Sequence, residues 1–386
     1  VRTVLFEKNI PKVLLTRALR SIWPDVVFTP LSPTRLVEIP DVPLPGPRWV
    51  RVRNRLGGIC GSDLHLLTVE ADPGVAPAAL PGSDRLYLGH EVVGEVTEVG
   101  AAVASLKVGD RVTMDAHSQS PNCLNQGVTP PCHHCREGHL PLCENASLGR
   151  GSPAVGGGWG DGFVAHESGL FKIPDELDDE TAVVIEPLSV GVRAALRRLP
   201  QPEERALVVG CGTIGLAVVE ALRILAPRSH VTVMARYPHQ VEMARRLGAG
   251  ELIVQEDPYA AAAHITGGKL YRGAFKNRTI LGGFDVVYDC VGTARTVQDS
   301  LRWARAGGAV VLVGISLNVM RVDLTPVWHQ EVDLLGLIGQ DRDRRAGHWQ
   351  PLYGLVADLL LRGELTTEGF ITHRYPLDRW REAART

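Results

Sequence analysis

The sequence has almost no excess charge: 41 Lys plus Arg stand against 43 Asp plus Glu, a net charge of -2 over 386 residues. No basic face is visible, so there is no electrostatic reason to expect nucleic acid or an acidic membrane surface as a partner. An uninterrupted apolar run of the ~18 residues that a membrane span requires is also missing. A secretory leader is not read in the opening VRTVLFEKNIPKVLL, where Glu7, Lys8 and Lys12 break up the apolar residues. Internal repeats and low-complexity tracts are lacking as well. These absences leave an ordinary globular chain, expected in the cytosol, where thiols stay reduced and clustered cysteines favour metal over disulfides.

What is present exceeds one core. With 45% hydrophobic and 22% charged residues over this length, two domains are expected. From 33 to 115, short β-branched runs (PTRLVEI, PRWVRVRNRL, GHEVVGEVTEVG, VGDRVTM) alternate with Pro and Gly, the mark of a compact β-rich domain. Between about 118 and 162, Gly, Pro, Cys and His dominate and periodicity disappears, which predicts a loop lobe that something must tie down. After EPLSVGVRAALRRL the pattern changes. Strand-like RALVVG, HVTVMA, FDVVYDC and AVVLVGI alternate with helical segments, so the fold class is α/β with a parallel, doubly wound sheet. The basic, Gly-containing segment 265–283 reads as an insertion between βα units, most simply an exposed loop.

VVGCGTIGL places Gly210, Gly212 and Gly215 as G-x-G-x-x-G after a strand and before a helix. The first glycine makes the turn, the second lets backbone approach a pyrophosphate and the third lets helix and strand pack closely. Twenty residues beyond Gly215, where an acidic residue would accept the ribose hydroxyls of NAD, the chain has Ala235, then Arg236 and Tyr237. A guanidinium suits the 2′-phosphate of NADP, and NADP is expected over NAD. The alternative is an arginine stacked on adenine in an NAD enzyme. The expected cofactor contacts are Gly210, Gly212, Thr213, Ile214, Gly215, Arg236 and Tyr237, with Val291, Gly292, Val313 and Gly314 past the ends of later strands.

GGICGSDLHLL holds Cys60, Ser62, Asp63 and His65, LGHEVVGEVTEVG holds His90 and Glu91, and VVIEPLSVGV holds Glu186. Singly each is weak, since a lone buried Cys or His is usually a core residue. Together they offer the S, N and O donors that Zn²⁺ accepts. C-G-S-D-x-H, G-H-E-x-x-G-x-V-x-x-V-G, E-P-L-S-V-G and the glycine fingerprint, in this order, resemble the zinc-dependent medium-chain dehydrogenase/reductase family. The EPLSVG form and the terminal ITHRYPLDRW are similar to its sorbitol, glucose and butanediol dehydrogenase branch.

This resemblance implies a GroES-like catalytic domain over 1–187, with a structural-zinc lobe near 118–150, a Rossmann domain over 188–338, and a return to the catalytic domain over 339–386. It implies a catalytic zinc on Cys60 and His90, with Glu186 and either Glu91 or water completing the sphere. The other reading of Glu91 is an ion pair beneath the site. Zinc then polarises a substrate oxygen, Ser62 and His65 relay the released proton to solvent, Asp63 orients a ligand, and hydride passes to nicotinamide. The implied substrate is a secondary alcohol, polyol or sugar hydroxyl, and the implied assembly a homodimer or homotetramer. A zinc-free quinone or enone reductase of the same superfamily would lack Cys60, His90 and Glu186 as a set, and a non-enzymatic nucleotide-binding protein would need no proton path.

Four cysteines remain. Cys132, Cys135 and Cys143 reproduce the last three ligands of the family's structural-zinc lobe, but the first position is Thr129, and Cys123 lies six residues further back. The spacer LNQGVTPP is expected to loop Cys123 into the site; His133 or His134 are the substitutes.

Overall fold

Alternation in PRWVRVRNRL predicts one buried and one solvated face, and the strand Trp49–Gly57 has both: Val50 and Val52 are buried while Arg53 and Arg55 are exposed. It is central to a six-stranded antiparallel sheet, flanked by Gly162–His166 on one side and by Val92–Val99, Arg111–Met114 and Leu170–Lys172 on the other. The coordinates are a computed structural model that describes residues 1–76, 83–115, 120–146, 153–339, 342–345 and 348–386. Residues 77–82, in the Pro-rich stretch between Cys60 and His90, and 116–119 and 147–152, at the margins of the cysteine lobe, lie outside the described residues.

The α/β half follows its periodicity closely. Six parallel strands run in the order Glu251–Val254, His230–Ala235, Arg205–Val209, Phe284–Asp289, Ala304–Leu312 and Asp333–Gly336. The order reverses beside Arg205–Val209, and ligands of such sheets bind at that switch point, outside the carboxyl ends of the strands. Ala206, Leu207 and Val208 are fully buried, as expected for a strand covered on both faces. The helices Thr213–Leu225, Pro238–Arg246, Pro258–Thr266 and Ala294–Trp303 flank it.

Two elements go beyond what the sequence led us to expect. Segment 265–283 is not an irregular loop: Lys269–Arg272 and Arg278–Leu281 form an antiparallel hairpin. Ile280 is fully buried, Arg278 pairs with Asp257 at 2.7 Å and lies over the Tyr259 ring, and Phe275 protrudes at the tip. The N-terminal segment carries no clear period, yet it forms the strand Arg2–Glu7, paired with Thr34–Glu38 and Arg85–Tyr87, and the helix Ile10–Leu19. Asn9 caps that helix by accepting from Lys12 N–H at 3.1 Å, and Pro11 fits its first turn.

The end of the chain returns to the β-rich half. Helix Leu352–Leu361 packs on helix Ile185–Arg197, with Tyr353 Oη donating to the Met114 carbonyl at 3.1 Å. Trp380 packs in a cluster with Phe6 and Trp159, and Arg2 pairs with Asp378 at 2.9 Å. Among the described residues no helix is long and apolar enough to cross a membrane.

Candidate metal and cofactor centres

Three of the expected ligands converge. The ligand atoms of Cys60, His90 and Glu91 all lie within 4.8 Å of one another. Cys60 caps the helix Gly61–Leu67, and His90 and Glu91 immediately precede the strand Val92–Val99, so two separate motifs meet at one point. Glu186, in the first turn of helix Ile185–Arg197, is buried at 3% exposure and approaches from the third side, its Oε1 at 3.9 Å from His90 Nε2. Its Oε1 faces the same imidazole nitrogen side of the site, just outside the set whose ligand atoms all lie within 4.8 Å of one another.

Asp63 braces this arrangement. Its Oδ1 accepts the Gly89 N–H at 2.9 Å, and its Oδ2 accepts the Cys60 N–H at 3.4 Å and lies 3.6 Å from His90 Nδ1. One carboxylate therefore holds the backbone of both motifs and orients the imidazole. Burial works against the charged form of His90, but Asp63, Cys60 and Glu186 together hold its pKa well above the usual histidine range. Burial first, and then the neighbouring Glu186 charge, push Glu91 up to about 8. Such crowding of buried acids around an imidazole and a thiol is the donor set of a borderline cation, whose charge offsets what burial penalises.

Sequence reasoning passed over Gly58. A Cβ there would stand 2.1 Å from Glu91 Oε2, and the Gly58 N–H donates to the Glu91 carbonyl at 2.6 Å. Trp159 Nε1 fixes the same residue through its carbonyl at 2.8 Å. The GG of GGIC was the available signal, but a glycine pair gives no hint of which side chain fills the space. Ser62 and His65 lie three residues apart on helix Gly61–Leu67 and so share a face. Glu70, with no motif around it, approaches His65 Nδ1 to 2.5 Å.

The four remaining cysteines form a second cluster. Cys123, Cys132, Cys135 and Cys143 place their sulfurs within 4.8 Å of one another, and all are free thiols. Cys123 joins them because the spacer folds into a tight turn. Asn122 Oδ1 accepts the N–H groups of Leu124 and Asn125 at 2.9 and 3.1 Å, and Val128 N–H closes back on the Cys123 carbonyl at 2.8 Å. The Cys132 N–H then donates to Cys123 Sγ at 3.4 Å, and Asn145 Nδ2 to the same sulfur at 3.1 Å. His133 is not needed as a ligand; it opens the short helix His133–Glu137 and sits exposed beside Glu137 at 3.5 Å. Four sulfurs this close, three of them buried, fit a closed structural zinc site.

At the glycine fingerprint, helix Thr213–Leu225 starts at Gly212 with no side-chain cap, leaving its first N–H groups for an anion. Around Gly212 nothing lies within 4 Å of where a Cβ would be. Past the strand ends, Asp289 Oδ1 accepts from the Val291 and Gly292 N–H groups, both at 3.0 Å, and its carbonyl accepts from Val313 and Gly314 at 2.9 and 2.8 Å. One residue thus draws the two later loops together, and Val291 stays 40% exposed at the mouth. Arg236 and Tyr237 follow strand His230–Ala235, their N–H groups held by Gln240 Oε1 at 3.1 and 3.2 Å, with the Arg236 guanidinium 5.4 Å from the Tyr237 ring.

Fold and site together define a zinc-containing nicotinamide oxidoreductase. Residues 46–175 match the alcohol dehydrogenase GroES-like domain and residues 213–357 the zinc-binding dehydrogenase domain. The chain is 33% identical to L-idonate 5-dehydrogenase from Vitis vinifera, over 86% of this chain and 82% of that one. It is 31% identical to sorbitol dehydrogenase from Arabidopsis thaliana, over 86% and 83%. It superposes on 2R,3R-butanediol dehydrogenase from Bacillus subtilis with a TM-score of 0.68 at 26% identity, covering 91% of each chain. The chain belongs to the zinc-dependent medium-chain alcohol dehydrogenase family, and it is an NAD(P)-dependent alcohol or polyol dehydrogenase acting on CH–OH groups.

Proposed function

We propose that this enzyme oxidises the secondary hydroxyl of a polyol or sugar, with NADP preferred to NAD. The observation that carries the reading is the convergence of Cys60, His90 and Glu91 in a chain that also holds an uncapped, glycine-lined helix N-terminus. Similarity to sorbitol and L-idonate dehydrogenases supports the substrate class. Arg236, with no carboxylate at Ala235, supports the cofactor preference.

When bound, zinc supplies Lewis acidity at the substrate oxygen, and the nicotinamide supplies the hydride acceptor. The protein's own residues do the rest. Cys60, His90 and Glu91 hold the metal, with Glu186 packed against His90 at its edge. Asp63 keeps the His90 ring turned toward the site by engaging Nδ1. Ser62 takes the hydroxyl proton as the bond to oxygen polarises, and His65 accepts it for delivery to solvent. Gly212 leaves room for the pyrophosphate, with Gly210 making the turn before it and Gly215 packing helix on strand; Thr213 and Ile214 open the helix beneath it, and Val291, Gly292, Val313 and Gly314 line the nicotinamide side. Cys123, Cys132, Cys135 and Cys143 fasten the lobe.

We divide the chain into a catalytic unit, 1–187 with 339–386, and a nucleotide-binding unit, 188–338; the contacts of Trp380 and Tyr353 support the first. Free thiols at all seven cysteines support a cytosolic location. Strand Asp333–Gly336 is at the sheet edge among the described residues, and its exposed Leu334, with Ile338 just beyond, supports self-association as a dimer or tetramer. The test is kcat/KM across polyols, sugars and simple secondary alcohols with each cofactor. A higher value for polyols with NADP is expected; preference for NAD, or for simple alcohols, would overturn the respective half.

A further inference from the structure

Five residues beyond His65 the chain folds back on itself. Helix Gly61–Leu67 ends, and Val69 follows at φ +55, a left-handed conformation that strains a β-branched side chain and in which glycine is the usual residue. Val69 is nonetheless 6% exposed, packed in a cluster with Phe6, Leu67, Leu88 and Trp159, so apolar burial opposes the strain. The turn sends Glu70 back over the helix it has just left. Its N–H donates to the His65 carbonyl at 3.0 Å, and its Oε2 lies 2.5 Å from His65 Nδ1.

The returning segment is anchored from two directions. From helix Ile10–Leu19 and its C-terminal cap, Arg17 donates to the Ala71 carbonyl and Arg20 to the Thr68 carbonyl, both at 2.6 Å. From the nucleotide-binding side, the Leu317 carbonyl accepts the Asp72 N–H at 2.7 Å. Backbone on either side of Glu70 is therefore held, and the carboxylate is delivered to one ring nitrogen. An ordinary ion pair between groups as exposed as these, 34% and 36%, contributes little stability. Its consequence lies in the imidazole.

We propose that Glu70 is a positioning residue for the proton relay. Neutral imidazole has one donor and one acceptor nitrogen. A carboxylate fixed at Nδ1 takes the N–H there, settles the tautomer and the ring orientation, and leaves Nε2 as the acceptor for the proton released from the substrate hydroxyl. Glu70 touches neither substrate nor cofactor and acts through His65 alone, so the proposal rests on the relay reading of Ser62 and His65.

The test compares Glu70→Gln, His65→Gln and the double variant as zinc-replete enzymes. For Glu70→Gln, kcat for alcohol oxidation is expected to fall roughly tenfold or more, with KM for alcohol and cofactor, zinc content and melting temperature held. The solvent deuterium isotope effect on kcat should rise, because proton departure becomes slower. His65→Gln should fall at least as far, and the double variant no further than His65→Gln. If His65→Gln slows turnover but Glu70→Gln does not, the role of Glu70 is wrong and the relay stands. If neither slows it, the relay reading itself is wrong. If the two losses multiply in the double variant, Glu70 acts independently of His65 and the proposal is overturned.

Discussion

A Cβ placed on Gly215 would stand 1.9 Å from the carbonyl oxygen of Gly210, whereas one placed on Gly212 would meet nothing within 4 Å. The same fingerprint therefore contains one glycine required by the fold and one left open for a ligand. Gly215→Ala must push helix Thr213–Leu225 away from strand Arg205–Val209 and should cost about 1–3 kcal/mol or more, read by thermal unfolding without cofactor. Gly212→Ala should change that stability by less than about 1 kcal/mol while weakening NADPH binding roughly tenfold or more in a fluorescence titration. The reverse pattern would mean that the pyrophosphate is not seated there.

The two metal centres should separate by their consequences. Each of Cys60→Ser and Cys132→Ser is expected to lower zinc from two ions per chain to one, measured by elemental analysis. Cys132→Ser should also lower the melting temperature, because a closed cysteine cluster contributes folding energy. Cys60→Ser should lose turnover and leave the melting temperature nearly unchanged. One zinc in the unaltered protein would contradict both expectations.

Arg236 carries the cofactor preference. Removing a charge-assisted contact to a phosphate costs about 1.5–3 kcal/mol, so Arg236→Ala should raise KM for NADP by roughly 10- to 100-fold and KM for NAD by much less. Equal effects on both would point instead to stacking against adenine, as the nearby Tyr237 ring would allow.

Glu220 is a buried carboxylate in helix Thr213–Leu225 with 0% exposure. Its Oε1 accepts the Thr366 N–H at 2.7 Å, and its Oε2 has no hydrogen-bond partner among the described residues. Burial is the main cause that raises its pKa from 4.5 to about 7. The folded state therefore favours the protonated form. The stability this provides is fully present below about pH 4.5 and is lost as pH rises through about 7. Glu220→Gln should match the parent near pH 4.5 and exceed it at pH 8 by up to roughly 3 kcal/mol, measured by urea unfolding. A pH-independent difference between the two would rule this out.

Legibility followed the range of the interactions. The parallel sheet was readable because Val, Leu and Gly in RALVVGCGTIGL encode strand, turn and helix locally. Cys60, His90 and Glu91 were readable because each sits in its own short motif, although their convergence depends on the fold. Helix Ile10–Leu19 was not readable: Ile10, Leu14 and Leu15 face solvent, which blurs the period that would have announced it. Hairpin 269–281 was hidden by its basic residues, with buried Ile280 and partly buried Leu270 as its inward anchors. Glu70 was invisible because positions five apart do not meet along a helix; only the turn at Val69 brings it to His65. Cys123 was half-legible, since the ligand type was clear but the tight turn after Asn122 was not.

The most direct measurement is polyol-dependent reduction of NADP by the zinc-replete enzyme, set beside Cys60→Ser and His90→Ala with zinc quantified in each. The expected result is turnover in the parent, and in both variants a loss on the order of 10³-fold, matching the several kcal/mol a Lewis acid supplies, together with loss of one zinc. Undiminished turnover in either variant after its catalytic zinc is gone would contradict a metal-dependent mechanism at this site.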